Sequence, residues 1–118
     1  MFQQNASSNN IVSASPNPNI GVEGAFGILR PIQRQGTQLQ RFEILLHANN
    51  INNWVGNNAA SRRQYATSVM AHELGHAVGL VDNPVGGGNT SLMSHNRNRL
   101  NVVSPSNFDI LSVNMLYN

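Results

Sequence analysis

Residues 72–82, with the sequence HELGHAVGLVD, constrain the fold of this chain more than any other stretch. On an α-helix, side chains four residues apart lie on one face, about 40° apart around the axis and about 6 Å apart along it. His72 and His76 can therefore reach one metal ion with both imidazoles. Glu73 lies at the edge of the same face, where a carboxylate can reach a water at the metal without being a ligand. The sequence thus predicts a helix that borders a metal-binding cleft.

Two histidines do not complete a zinc site, and the residues after the helix offer a third ligand. Gly79 can adopt a positive φ and end the helix, so that the chain folds back. Asp82 would then return its carboxylate to the metal and leave a fourth position for water, as catalytic zinc sites require. The short H-E-x-x-H pattern alone also fits a polar helix surface, but the added Gly79, Asp82 and Met93 favour a site for one zinc ion.

These motifs carry a family resemblance. HELGHAVGLVD, followed by Ser91-Leu92-Met93-Ser94, resembles the metzincin zinc peptidases. The segments VMAHELGHAVGL and PSNFDILSVNMLY are more similar to bacterial matrixins. Most metzincins carry His at the position of Asp82, whereas the snapalysins carry Asp there. The chain therefore resembles a matrixin-like metzincin with a snapalysin-like third ligand.

The resemblance implies a zinc endopeptidase that hydrolyses protein or peptide substrates through a metal-activated water. It implies that His72, His76 and Asp82 are the metal ligands, that Glu73 is the general base, and that Met93 lies in a Met-turn as a hydrophobic floor beneath the ligands. It also implies a secreted or extracellular protein. A catalytically incomplete, zinc-stabilised binding module or domain fragment is the alternative.

Two further residues have open roles. His95 stands two positions after Met93, where astacin-like and serralysin-like metzincins carry a Tyr that ligates zinc or stabilises the transition state. His95 is thus a candidate transition-state stabiliser, an additional ligand or a solvent-exposed side chain. The resemblance to matrixins implies that Asp109 hydrogen-bonds the Met-turn backbone. An acidic residue in a first helical turn, favoured by the helix dipole, explains Asp109 equally simply.

Composition narrows the remaining function classes. The 118 residues suit a single domain, and the seven basic residues, all Arg, are scattered without a basic run. We therefore expect no nucleic-acid partner, and the absence of a long apolar run predicts no membrane span. The first residues lack a signal-peptide pattern. The five acidic residues give no basis for predicting calcium sites. We expect a monomer.

The N-terminal half predicts a small sheet. Residues 1–24 are rich in Asn, Ser, Pro and Gly and are expected to be extended or flexible, with at most a short strand over residues 9–14. Residues 25–32 and 40–48 are predicted to be strands joined by a turn at Gly36. In the second strand, Phe42, Ile44 and Leu46 alternate with Glu43, Leu45 and His47, as in a strand with one buried face. His47, at the end of the second strand, is expected to be exposed. Residues 49–58 are predicted to form a loop in which Trp54 anchors the chain on the core.

Two helices are predicted in the second half. Asn57 or Asn58 caps a helix over residues 59–79, and Ser104 caps a second helix that runs to about Tyr117. The expected fold is α+β and metzincin-like: a short twisted sheet packed on the active-site helix, then the Met-turn and a C-terminal helix. The N-terminal helix and the first strand of the family are expected to be missing, because nothing in residues 1–24 can form that helix.

Overall fold

The protein folds into a small α+β domain, as the sequence predicts. The structure, a computed structural model, describes residues 10–19, 21, 24–36 and 38–117. The predictions for residues 1–9, 20, 22 and 23 lie outside this range. The elements in chain order are strands β1 (Ile11–Ser15), β2 (Gly27–Gln35) and β3 (Gln38–His47), helices α1 (Ala48–Val55) and α2 (Ala59–Ala77), a 3-10 turn (Gly88–Thr90) and helix α3 (Asn107–Tyr117).

The sheet is mixed and has β3 at its centre. β3 pairs in parallel with β1 and antiparallel with β2, so the strand order is β1-β3-β2. The predicted hairpin is confirmed, and it turns at Gly36, which has a φ of +62°. β1 falls where the sequence allowed at most a short strand. Its exposed side chains explain the weak signal, because backbone pairing with β3 and not apolar periodicity holds it in the sheet.

The hydrophobic core lies between the sheet and α2. Alternate residues of β3 face inwards, as predicted, and pack against Tyr65 and Val69 of α2. The buried cluster consists of Phe42, Ile44, Leu46, Ile51, Tyr65 and Val69. β2 approaches α2 closely at Gly27, where a Cβ atom would lie 2.9 Å from Cγ1 of Val69. Each of these large apolar side chains contributes about 1.5–3 kcal/mol by its burial, which fixes α2 against the sheet.

The predicted loop over residues 49–58 is wrong, because most of it forms α1. His47 caps this helix: its Nδ1 accepts a hydrogen bond from the backbone N–H of Asn50 at 3.1 Å. The predicted exposure of His47 is therefore also wrong, since the residue is only 8% exposed. Asparagine has a low helix propensity, which hid the helix in the sequence. The cap and the burial of Ile51 outweigh that propensity.

Trp54 does not anchor the chain on the core. Its side chain is 73% exposed, and its aromatic contact is an edge-on approach to Phe26 with ring centroids 6.3 Å apart. Ile51 is instead the buried residue of α1. The prediction for Trp54 rested on a loop, and it fails because the helix turns a different side chain inwards.

The C-terminal helix begins two residues later than predicted. Ser106, and not Ser104, caps α3 through a reciprocal pair of hydrogen bonds with Asp109. This pair resembles a capping box, in which two otherwise unpaired backbone donors are satisfied together. Among the residues of α3, the apolar Leu111 and Met115 are exposed, whereas Asp109 is buried. α3 therefore contacts the rest of the protein through a buried carboxylate as well as through Phe108, Leu116 and Tyr117.

Candidate metal centre

Helix α2 is capped and terminated as the sequence predicts. Asn58 caps its start by accepting a hydrogen bond from the N–H of Ser61. At its end, Gly79 adopts a φ of +102°. The N–H of Gly79 donates to the carbonyl of His76 at 3.0 Å, and the N–H of Leu80 donates to the carbonyl of Gly75 at 2.9 Å. These two bonds form a Schellman-like turn, which directs the chain back towards the histidines.

Asp82 lies against both histidines of α2. Its Oδ1 atom is 3.0 Å from Nε2 of His72 and 3.0 Å from Nε2 of His76. Burial raises the pKa of the Asp82 carboxyl, but the neighbouring His76, His72 and His95 outweigh that effect, so the net pKa is lowered. Asp82 therefore carries its negative charge at neutral pH.

Hydrogen bonds orient the two imidazoles. Nδ1 of His72 lies 2.8 Å from the carbonyl oxygen of Leu92, and Nδ1 of His76 lies 2.8 Å from that of Leu80. A carbonyl oxygen only accepts, so each Nδ1 carries the proton. In a neutral imidazole this leaves an unprotonated lone pair on Nε2. Both Nε2 atoms lie against Oδ1 of Asp82.

This convergence favours a bound cation. Two nitrogen lone pairs and a carboxylate oxygen repel one another unless a proton or a metal ion lies among them. Burial lowers the pKa of His72 to about 4, so a proton is absent from that residue at neutral pH. A divalent metal fits. When zinc bonds are about 2.0–2.2 Å long, the ligand atoms of a tetrahedral site lie about 3.3–3.5 Å from one another. Oδ1 of Asp82 lies 3.0 Å from Nε2 of His72 and of His76, which is close to this spacing.

Glu73 lies beside the cluster in a buried position. One oxygen or nitrogen atom from each of Glu73, His72 and His76 falls within 4.8 Å of the others. The backbone N–H of Leu29 in β2 donates to the Glu73 carboxylate, and burial raises the pKa of Glu73 despite the opposing effect of His76. A carboxylate with a raised pKa is a stronger base, which suits it to accept a proton from water.

Asp109 holds the turn Ser91–Ser94, as the family resemblance implied. Its Oδ1 accepts from the Ser91 hydroxyl at 2.5 Å, and its Oδ2 accepts from the N–H of Leu92 at 2.9 Å. Burial raises the pKa of Asp109, but the hydrogen bonds from Ser91, Leu92 and Ser106 outweigh burial and lower it. Because the Leu92 carbonyl accepts from His72, Asp109 positions a candidate ligand through one intervening residue.

Met93 lies fully buried against α2 at Gly75. A Cβ atom at Gly75 would lie only 2.5 Å from Sδ of Met93. Gly75 therefore allows the turn that contains Met93 to approach the helix between the two histidines. Gly75 occupies an unspecified position of the H-E-x-x-H motif, so the motif did not single it out. The signal was present, since glycine inside a helix is costly and indicates a packing reason.

His95 reaches the same carboxylate oxygen. Its Nε2 lies 3.2 Å from Oδ1 of Asp82, although its side chain is 54% exposed. The backbone N–H of His95 donates to Oδ1 of Asn83 at 2.8 Å, and Asn83 itself has a positive φ of 49°. The sequence did not single out Asn83, the residue that joins the Asp82 loop to the segment after Met93.

Arg97 is a second residue that the sequence did not single out. In the sequence it is one of seven scattered arginines, and in the structure it is only 4% exposed. Its guanidinium donates to the hydroxyl and carbonyl of Ser68 and to the carbonyl of Ser94. Burial lowers its pKa to about 10, so it remains charged at neutral pH. Arg97 thereby ties the turn after Met93 to α2, one helical turn before His72.

Comparisons of the chain with protein-family models, curated proteins and solved structures find no match. Within the described residues, no helix is both long and apolar enough to cross a bilayer.

Proposed function

We propose that this protein is a zinc-dependent endopeptidase, built like a matrixin-like metzincin. The observation that carries the proposal is the convergence of two Nε2 atoms, from His72 and His76, on the Asp82 carboxylate, with the buried Glu73 beside them. His72, His76 and Asp82 would hold the ion. The same resemblance makes a secreted or extracellular protein the expected form, and we also expect a monomer.

The residues divide the chemistry between them. Zinc bound there would supply a Lewis acid that polarises a peptide carbonyl and acidifies water. Glu73 would accept the proton of the attacking water and deliver it to the departing amine. The hydrogen bond from Leu29 and the packing around Glu73 hold its carboxylate in place during both transfers.

An extended peptide is the substrate form that suits the site. β2 is an edge strand of the described sheet, and its Leu29 contacts Glu73. An edge strand offers unpaired backbone groups to which an extended chain can hydrogen-bond. A peptide paired with β2 would pass the metal ligands with its backbone carbonyls within reach of Glu73.

The test compares the wild type with Glu73→Gln, which keeps the shape of the side chain but removes the base. We expect both to bind about one zinc ion per chain, measured by elemental analysis, because Glu73 is not a ligand. Cleavage of an unfolded protein substrate should fall at least about 100-fold in the variant. Glu43→Gln is the matched control: Glu43 lies on β3, pairs with Arg30, and should leave both measurements unchanged.

The second candidate is a zinc-stabilised binding module without catalysis. It is favoured by His95, because a fourth donor near the ion would fill the position that a catalytic site keeps for water. In this case the wild type binds zinc and cuts no peptide. Elemental analysis also identifies the metal, since nitrogen and oxygen ligands accept cobalt, nickel and copper as well.

A further inference from the structure

We propose that Tyr117, the last residue of α3, is a positioning residue for the metal site. It acts through the turn that ends α2, because this turn directs His76 and Asp82 towards one another. The inference rests on the proposed metal site. It adds to that site a residue that acts through the backbone and not as a ligand.

A hydrogen bond between residues 39 positions apart in the chain carries the proposal. The Tyr117 hydroxyl donates to the carbonyl oxygen of Val78 at 2.9 Å. Val78 is the C-cap of α2, and the last carbonyls of a helix have no partner within the helix. Tyr117 supplies the partner for this carbonyl, so the end of α3 holds the end of α2.

Leu116 adds an apolar contact at the next residue of the same turn. A Cβ atom at Gly79 would lie 3.2 Å from Cδ1 of Leu116, so the two residues are closely packed. Gly79 has the positive φ of +102° that turns the chain back. Two successive residues of α3 thus contact two successive residues of the turn, which fixes the turn from outside.

The turn brings two of the proposed donors into place. Nδ1 of His76 lies 2.8 Å from the carbonyl oxygen of Leu80, and this contact orients the ring. Asp82 follows two residues later, and its Oδ1 lies 3.0 Å from Nε2 of His76. A shift of the turn would move the Leu80 carbonyl and the Asp82 carboxylate together. Metal affinity should therefore depend on how firmly the turn is held.

The middle of α3 gives the turn no equivalent support. A cavity of about 330 Å³ lies between the two helices, with Leu74 and Val78 of α2 on one side and Ile110 and Val113 of α3 on the other. The contacts at the C-terminal end of α3 are thus separated from the rest of the helix interface. Loss of the bond from Tyr117 should therefore be felt at the turn.

The experiment measures the Zn²⁺ affinity of the full chain by competition with a chromophoric chelator. Tyr117→Phe keeps the ring and removes the donor, and it should weaken Zn²⁺ binding about 2- to 10-fold, the factor that one hydrogen bond is worth. Amide exchange at Leu80 should become faster, because its N–H donates to Gly75 within the turn. Ser112→Ala is the matched control, since it also removes a hydroxyl from α3, but one that donates to Phe108 within the helix.

Affinity separates positioning from a purely structural role. A variant that is only less stable keeps its Zn²⁺ affinity as long as nearly all of the protein stays folded. Unchanged affinity in Tyr117→Phe, with affinity lost in His76→Ala, would overturn the inference and leave the metal site standing. Equal losses in Tyr117→Phe and Ser112→Ala would assign the effect to the helix and not to the Tyr117 hydroxyl, which also overturns the inference. A wild type that binds no Zn²⁺ overturns the proposed site and the inference together.

Discussion

Asp82 and His72 show how single residues decide the chemistry of the cluster. The Asp82 carboxylate supplies a negative charge where an imidazole ligand would be neutral, so an ion held here would keep one less positive charge. Burial lowers the pKa of His72 to about 4, so its imidazole stays neutral and able to bind a metal ion well below neutral pH. Protons therefore compete only weakly with a metal ion for the Nε2 atom of His72.

The lowered pKa of His72 predicts the pH dependence of the metal-free protein. The folded pKa is about 4 and the ordinary value 6.5, so the unfolded chain binds the extra proton between these values. Relative to pH 6.5 and above, the folded state loses stability as the pH falls towards 4, by a total of up to about 3 kcal/mol. We expect this loss in denaturant unfolding of the chelated protein.

His72→Asn is the matched variant, because its amide N–H can still donate to the Leu92 carbonyl. The variant should show a flatter stability profile over the same pH range. Equal slopes in the two proteins would contradict the assignment to His72.

At the scale of elements, the site depends on how α2 ends and on the segments that come after it. The turn at Gly79 sets where Asp82 returns, and the turn Ser91–Ser94 supplies the carbonyl that orients His72. α3 contributes Asp109, which holds that second turn. The donors are thus positioned by different elements, and the cluster forms only when all of these elements are in place.

Gly79→Ala should weaken both folding and metal binding. An L-residue at a φ of +102° is strained, at a cost of about 1–2 kcal/mol, and relief of the strain would move Asp82. Gly36→Ala is the control, because Gly36 also has a positive φ but lies in the β2–β3 turn with open space around it. Both variants should unfold at lower denaturant concentration, but only Gly79→Ala should lose metal affinity. Equal affinities would show that the turn does not position Asp82.

At the scale of the whole molecule, the part of the chain that ends with α2 and the C-terminal part from Gly79 onwards are stabilised differently. The hydrophobic cluster and the residues packed on it all come from residues 26–77. The part from Gly79 onwards contacts α2 through Asp82, Met93 and Arg97, and much of the apolar surface of α3 is exposed. A metal ion held by His72, His76 and Asp82 would therefore link the C-terminal part, which is less apolar, to α2 and the core.

Removal of metal should loosen the C-terminal half selectively. A ligand at 100 times its dissociation constant stabilises the folded state by about 2.7 kcal/mol, which for a domain of this size is a shift of roughly 10 °C in Tm. Chelation should lower Tm by that order and increase amide hydrogen exchange in residues 79–103, while β3 stays protected. Uniform loss of protection would contradict this division, and Asp82→Ala should show no response to chelator.

Much of the candidate site could be predicted because its determinants are local. The spacing of His72 and His76 follows from helix geometry, and the turn after them follows from the freedom of glycine at Gly79. The alternation of Phe42 and Ile44 likewise identified β3 and its hairpin. These features depend on neighbours in the chain, so the sequence by itself determined them.

Only the tertiary structure decided the rest, because it depends on contacts between distant residues. The asparagine-rich α1 forms because His47 caps it and Ile51 reaches the core, against the low propensity of its residues. Arg97 is buried because Ser68, on another element, satisfies its guanidinium. His95 meets Asp82 only because Asn83 and Met93 bring their two loops together. Periodicity and turn preferences carry no information about such pairs, so folding in three dimensions had to bring them together.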